Sequence, residues 1–237
     1  MVSKIGTSNV TSRTNAVSLT LTNSSGYSTT RTASTDSSGN WRYDLSTTDL
    51  NQLRNLPANT NVLGKAVVSS SADGTIGTWG VATAMVDGDN SVQVIGGANN
   101  QWIMFTLDQA YQGGALVMTY ANNYVSNTDN RLIGAKVEFL RNGQVVETDM
   151  VTTGGANKVL TVNAASGTMY DQVRFTFPGT SAEGAYAIAE MKLQPNSVVE
   201  TALTVKGVLT NADGVSVSVT DQTVTVDADT PVLSFGS

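Results

Sequence analysis

Apolar and polar residues alternate along much of this chain. Val17-Ser18-Leu19-Thr20-Leu21-Thr22 runs at period two, and so do Val215-Ser216-Val217-Ser218-Val219-Thr220 and Val224-Thr225-Val226-Asp227. β-Branched residues alternating with Ser or Thr predict half-buried strands of an antiparallel sheet. Helical spacing is nearly absent. The best candidate is Thr47-Thr48-Asp49-Leu50-Asn51-Gln52-Leu53, one or two turns long, with Ser46 or Thr47 as N-cap. Turn signals recur as Asp36-Ser37-Ser38-Gly39, Asp73-Gly74, Asp87-Gly88, Asn142-Gly143 and Asp213-Gly214. Many short strands set off by such turns predict an all-β chain built of sandwiches. Trp41 and Tyr43 alternate in one stretch, so one of them is expected to anchor a core. Trp102, Met104 and Leu107 are expected to pack inside another.

Composition divides the chain. Of the first 50 residues 22 are Ser or Thr, against 5 between 101 and 150, and the Ser/Thr/Val texture returns from 201 onward. The stretch 85–191 holds six of the seven Met and ten of the fifteen aromatic residues. A compositionally distinct core thus lies between two similar flanks. Residues 1–53 and 198–237 together come to 93 residues, near the roughly 100 of an immunoglobulin-like sandwich. Either flank alone is too short for a self-sufficient core without staples. The expected organisation is therefore one split domain, 1–53 plus 198–237, carrying an inserted domain at 54–197 in an exposed loop.

Charge and missing residue types narrow the chemistry. The 237 residues contain no Cys and no His, with 13 Lys plus Arg against 19 Asp plus Glu, a formal net charge of −6. This excludes zinc fingers, cysteine nucleophiles and a Ser-His-Asp triad, and it argues against a nucleic-acid partner. Gly96-Gly97 has no following Lys-Ser/Thr and is no phosphate loop. No apolar run of membrane-spanning length occurs, and the first residues lack the apolar stretch of a signal peptide. The ends read as a fragment of a longer chain. Abundant Ser, Thr, Asn, Gly, Val and Asp with few Lys is a texture frequent in large secreted bacterial surface proteins, so the expected location is extracellular, on a bacterial surface.

Particular residues carry a resemblance. Asp36-Ser37-Ser38-Gly39-Asn40-Trp41-Arg42-Tyr43-Asp44-Leu45-Ser46 resembles the hairpin-and-strand signature of bacterial immunoglobulin-like repeats. Ala202 to Val205, Asn211 to Gly214 and Val217 to Pro231 resemble the closing strands and junction of the same repeat, which forms tandem arrays in giant biofilm and host-surface adhesins. In the middle, Asn61-Val62-Leu63-Gly64-Lys65 through Asp73-Gly74 resembles the opening of the coagulation factor 5/8 type C, or discoidin, family, whose fold family 32 carbohydrate-binding modules share. Ala84-Met85-Val86-Asp87-Gly88-Asp89, Gln101 to Asp108, Val173-Arg174-Phe175 and Ile188-Ala189-Glu190-Met191 follow that family's landmarks in order. The chain departs from it at Val92-Gln93-Val94, where the family carries an aromatic residue. The resemblance implies a discoidin-like jelly-roll sandwich inserted into a split immunoglobulin-like sandwich.

It also implies sites. A buried calcium ion would tie the Asp-Gly-Asp loop to the final strand through Asp87, Asp89, Ser91 and Glu190, cross-linking a chain that lacks disulfides. The alternative is an ordinary Asp-Gly turn beside a surface Glu. A second calcium at the repeat junction would use Asp227 and Asp229, with Asp213 and Asp36 in nearby turns; equally, these acids guard an edge strand. Ligand recognition is expected on loops at one end, carrying Trp79, Asn99, Asn100, Asn122, Asn123, Tyr124, Asn127, Asp129, Arg131 and Glu183. Sugars need an aromatic face with planar amides and charged groups, and Arg131 suits a sugar or the carboxylate of a peptide equally. The expected function is calcium-dependent binding of a cell-surface glycan or peptide by a large adhesin, beside neighbouring repeats of the same chain. A structural spacer without ligand, and an accessory module of a secreted glycoside-processing enzyme, are the alternatives. Catalysis by the chain itself is not expected, because its sparse carboxylates lie mostly in turns rather than paired across a cleft.

Overall fold

A computed structural model describes residues 17–24, 26–33, 43–71, 75–76, 80–90, 95–96, 98–120, 128–156, 159–180, 185–186, 188–210, 216–218 and 222–227. The chain divides into two compact units, one formed by Met1–Asn55 with Val199–Ser237 and the other by Leu56–Val198. Both are built of antiparallel strands.

In the first unit, strands Val17–Asn23, Ser28–Ala33, Glu200–Thr210, Ser216–Ser218 and Gln222–Asp227 share one sheet. Val17–Asn23 pairs with both Ser28–Ala33 and Glu200–Thr210, so strands from the two flanking segments are hydrogen-bonded neighbours. The period-two pattern places Leu19 and Leu21 inward, fully buried. A helix covers Thr47–Arg54, with Ser46 as its cap. Its capping box is reciprocal: Asp49 N–H donates to Ser46 Oγ (3.1 Å), and Ser46 N–H donates to Asp49 Oδ2 (2.9 Å). Asp49 is only 2% exposed and also accepts from Arg31 Nε (2.6 Å), Tyr43 Oη (2.9 Å) and Ser46 Oγ (2.7 Å). At the other end of the helix, Asn23 Nδ2 donates to Leu53 O (2.7 Å) while Asn23 Oδ1 accepts from Tyr27 N–H (2.8 Å). Tyr43 therefore fastens the helix cap rather than anchoring a strand; Trp41 lies outside the described residues.

The second unit rests on two long strands, Trp102–Tyr120 and Val159–Thr176. They pair with each other in two sections separated by a register break between Tyr170 and Gln172, with a second break inside the longer section between Ala164 and Met169. In the first section Trp102–Thr106 is flanked by Val67–Ser70, and Gln172–Thr176 by Lys136–Arg141, which pairs in turn with Gln144–Met150. In the second, Tyr111–Tyr120 is flanked by Ile188–Gln194 and Ser197–Val198. Inward residues of both sections, among them Ile103, Phe105, Leu116, Met118, Phe139, Leu160, Val173, Phe175 and Met191, belong to one buried cluster. The sections therefore face each other as two layers over a shared core.

Backbone chemistry makes the passage between layers. Gly113 and Gly114 have φ of +60° and +94°, values open to glycine, and a Cβ on Gly114 would overlap Gln194 O and Pro195 Cα. The buried Tyr170 hydroxyl donates to Gly113 O (2.8 Å) and holds the bend. Asn142 and Gly143, at φ of +52° and +77°, form the two-residue turn between Arg141 and Gln144 that the sequence predicts. One packing expectation is corrected. Ile103, Phe105 and Leu107 face the core, so Trp102 and Met104 alternate to the outer face and are half-buried.

Burial pushes the Asp49 carboxyl up, but the hydrogen bonds from Ser46, Tyr43 and Arg31 outweigh it and hold it at about 2. A depressed carboxylate stabilises the fold above its unfolded pKa and ceases to as pH falls through the folded one. The first unit should thus lose about 2 kcal/mol between roughly pH 4 and pH 2, measured by denaturant unfolding. Asp49→Asn should remove that pH dependence and cost a similar amount at neutral pH.

Candidate functional site

Two parts of the second unit carry candidate chemistry. The first lies on the outer face of the layer containing Ile188–Gln194. Met191 and Leu193 point into the core, so Glu190 and Lys192 point away from it. Glu190 is nevertheless 1% exposed. What covers it is the loop after the short 3-10 helix Ala82–Met85, whose Gly88 N–H donates to Glu190 Oε2 (3.2 Å). Gly88 has φ +83°, and Asp87 Oδ1 accepts from Asp89 N–H (2.8 Å), which shapes the tight Asp-Gly-Asp turn. A register irregularity between Ile188 and Glu190 sets the strand locally beneath this turn.

Electrostatically the arrangement is incomplete. Glu190 Oε1 is buried with no hydrogen-bond partner. Burial pushes the carboxyl up, the Gly88 N–H opposes this, and the charges of Asp87 and Asp89 raise it further. A carboxylate in this position calls for a proton or a cation. The donor set has the oxygen character that calcium takes. Asp87 and Asp89 are exposed while Glu190 is buried, and among the described residues no three acidic side chains converge on one point. Any ion here would draw its remaining oxygens from loop carbonyls. Ser91 lies outside the described residues, as does Asp229, with Asp213 and Asp36; Asp227 ends the strand Gln222–Asp227.

The second part is a loop cluster. Connections 130–135 and 151–154 join the 136 and 150 ends of one layer to the 129 and 155 ends of the other, and Phe177 N–H donates to Gln101 O (2.8 Å), which brings the loops at 98–101, 130–135, 151–154 and 177–180 to one end. Asn99 and Asn100 are exposed there. Asn100 adopts φ +58° and its N–H donates to Pro178 O (3.1 Å). The buried Tyr186 hydroxyl reaches both Asn99 Oδ1 (3.1 Å) and Pro178 O (2.9 Å). Below it, Tyr186, Phe177 and Phe175 form a chain of rings at centroid spacings of 4.9 Å and 5.0 Å. Asn99 is therefore set on a rigid post. Tyr186 and Pro178 were not among the residues expected to matter, because support for a loop amide from a remote ring leaves no local signal.

Arg131 opens the turn Arg131–Gly134 and is half-buried. That turn is pinned by Gly134 N–H to Val151 O (2.8 Å) and Val151 N–H to Ala135 O (2.9 Å). The backbone of Asp129 pairs with Gly155. Of the expected binding residues, then, Asn99, Asn100, Asp129 and Arg131 stand on this end. Trp79, Asn122, Asn123, Tyr124, Asn127 and Glu183 lie outside the described residues.

No family model matches the chain, and no curated protein does. Solved structures similar to it include the lectin domain of lectinolysin complexed with Lewis b antigen, at 19% identity over 60% of this chain and 100% of that one, TM-score 0.48. The family 32 carbohydrate-binding module of NanJ from C. perfringens in complex with galactose is 17% identical over 56% of this chain and 97% of that one, TM-score 0.44. A fucolectin from Morone saxatilis (striped bass) serum is 13% identical over 78% of this chain and 73% of that one, TM-score 0.47. These neighbours are carbohydrate-binding and lectin domains.

The buried charge gives a direct test. Glu190→Gln keeps an oxygen for the Gly88 N–H and removes the charge. A carboxylate whose pKa is raised in the fold loses stability as pH rises through that value. In the presence of a chelator, thermal melts should therefore show Glu190→Gln more stable than the unsubstituted protein at neutral pH, with the advantage shrinking on acidification.

Proposed function

We propose that Leu56–Val198 is a discoidin-like, calcium-held carbohydrate-binding module, borne on an immunoglobulin-like repeat of a large bacterial surface adhesin. The observation that carries this reading is the buried Glu190 carboxylate, fastened by one oxygen to the Asp-Gly-Asp loop and unsatisfied at the other. A calcium ion would supply the missing positive charge and join the loop to the strand Ile188–Gln194. Asp87, Asp89 and Glu190 would provide carboxylate oxygens, with Ser91 completing the loop's contribution. Weak extracellular sites of this kind fill at millimolar calcium. A junction site at Asp227 and Asp229 belongs to the same proposal, stiffening one repeat against the next.

The role of the loop cluster is binding without catalysis. Asn99 and Asn100 offer planar amides, and Arg131 a forked donor, to the hydroxyls of a sugar or the carboxylate of an acidic one. Fixing these groups before the ligand arrives lowers the ordering cost of binding. The kinds of ligand named for the similar lectin domains, a Lewis b antigen and galactose among them, support a cell-surface glycan as the ligand class.

Two readouts test this. Calcium removal by a chelator should lower the melting temperature of the unit by about 3–5 °C, the shift expected for an ion at about ten times its Kd. On a glycan array the calcium-loaded protein should bind a defined set of glycans and release them on chelation. Arg131→Ala should weaken that binding about tenfold. An unchanged melting temperature on chelation contradicts the calcium site. An array without any calcium-dependent hit favours the spacer reading instead.

A further inference from the structure

The strand Gln144–Met150 lies at the border of its layer, and among the described residues it pairs with Lys136–Arg141 alone. Val145, Val146 and Met150 are 45%, 50% and 52% exposed. A border strand of this length presents a row of backbone donors and acceptors to any extended chain. Its register is informative. Glu147 stands opposite Phe139 and Asp149 opposite Val137, both core residues, so the two carboxylates face inward at the open side of the sandwich.

A groove of about 270 Å³ opens there, lined by Asp149–Thr153 on one side and Leu160–Asn163 on the other. The two acids are not equivalent. Glu147 is committed, accepting from Ala165 N–H (3.0 Å and 3.2 Å) and from the Thr168 hydroxyl. Asp149 is only partly so: it hydrogen-bonds to the Glu147 carboxyl, but its Oδ2 is buried with no hydrogen-bond partner. Burial pushes the Asp149 carboxyl up, and the neighbouring Glu147 charge pushes it further. An acceptor in this state gains most from a cationic donor.

Inward-facing charges and a register irregularity, found here between Val145 and Glu147, keep border strands from pairing with apolar ones. They do not repel a strand that brings a positive charge to the same place. We propose that the open edge of Gln144–Met150 takes up an extended peptide segment by strand addition, with a lysine or arginine side chain of that segment entering the groove beside Asp149. An inward-facing residue of an added strand points into this groove, because the groove lies between the layers at that edge. The ammonium or guanidinium donates to Asp149 Oδ2, and the hydroxyls of Thr152, Thr153 and Thr161 offer further acceptors. Outward-facing residues of the segment lie beside Val145 and Met150. A bare divalent ion is a poorer occupant, since no three acidic side chains converge here among the described residues. The chain's net charge of −6 draws basic segments in and makes their uptake salt-dependent.

The test uses the full chain labelled with 15N and two blocked peptides of alternating valine and threonine, one with a central lysine and one with glutamine in its place. The lysine peptide should shift the amide resonances of residues 144–150 and 160–163, and bind at least about tenfold more tightly than the glutamine peptide. Asp149→Asn, which relieves a buried like-charge contact and so keeps the fold, should abolish that difference. Equal binding of both peptides, or no shift along 144–150, overturns the proposal. So does the result that N-acetyl-lysine amide reproduces the shifts at 160–163 while the lysine peptide leaves 144–150 unmoved, for the groove would then take an amine without a strand. Shifts along 144–150 that grow with protein concentration before any peptide is added overturn it as well, since the edge would then pair with a second copy of the chain.

Discussion

A carboxylate sealed from water with one oxygen unsatisfied is the constraint on which the second unit turns. Glu190 projects from the outer face of a strand and still has almost no exposed surface, because the Asp-Gly-Asp loop lies over it. Leaving an ionised group there without a partner costs several kcal/mol, so the site must be completed by a proton or a cation. The nearby Asp87 and Asp89 bear on both outcomes. They disfavour a lone negative charge, yet they also concentrate the oxygens a hard cation seeks. A cation bound there would make the Asp-Gly-Asp loop and the strand Ile188–Gln194 one piece, joined across 102 residues of sequence.

From that edge the architecture leads to the loop cluster. Two long strands carry the chain between the layers, and the bend at Gly113-Gly114 is possible only without a Cβ. The same arrangement gathers the connecting loops at one end. There the ring chain Phe175, Phe177 and Tyr186 rises from the core to the carbonyl of Pro178 and the amide of Asn99. Rigid packing below and exposed polar groups above is the division of labour expected of a binding module, in which loops recognise and the scaffold positions.

Local features were legible in the sequence. The period-two runs gave strands at Val17–Asn23 and Gln222–Asp227, Asn142-Gly143 gave a hairpin turn, and Ser46, one of two cap candidates, marked the start of the α-helix Thr47–Arg54. Features that depend on a remote partner were not. Gln101 to Leu107 is apolar on both faces, so periodicity alone cannot show that Trp102 and Met104 point outward. Gly113-Gly114 is a bend inside one continuous strand, which only the approach of Gln194 and Pro195 explains. The resemblance named Glu190, but its burial comes from a loop that no local pattern places over it. The Asp149 groove needed the register of Gln144–Met150 against Lys136–Arg141 before either acid could be assigned a direction.

The state of one carboxyl group decides whether a cation completes this site. Carbon-13 NMR of the Glu190 side-chain carboxyl, followed through a pH titration with and without calcium, reads that state atom by atom. Without calcium the resonance should titrate above the ordinary glutamate range, as burial and the two neighbouring aspartates require. With millimolar calcium it should shift at neutral pH and cease to titrate until the ion is displaced by acid. An identical titration curve in the presence and absence of calcium would contradict the account.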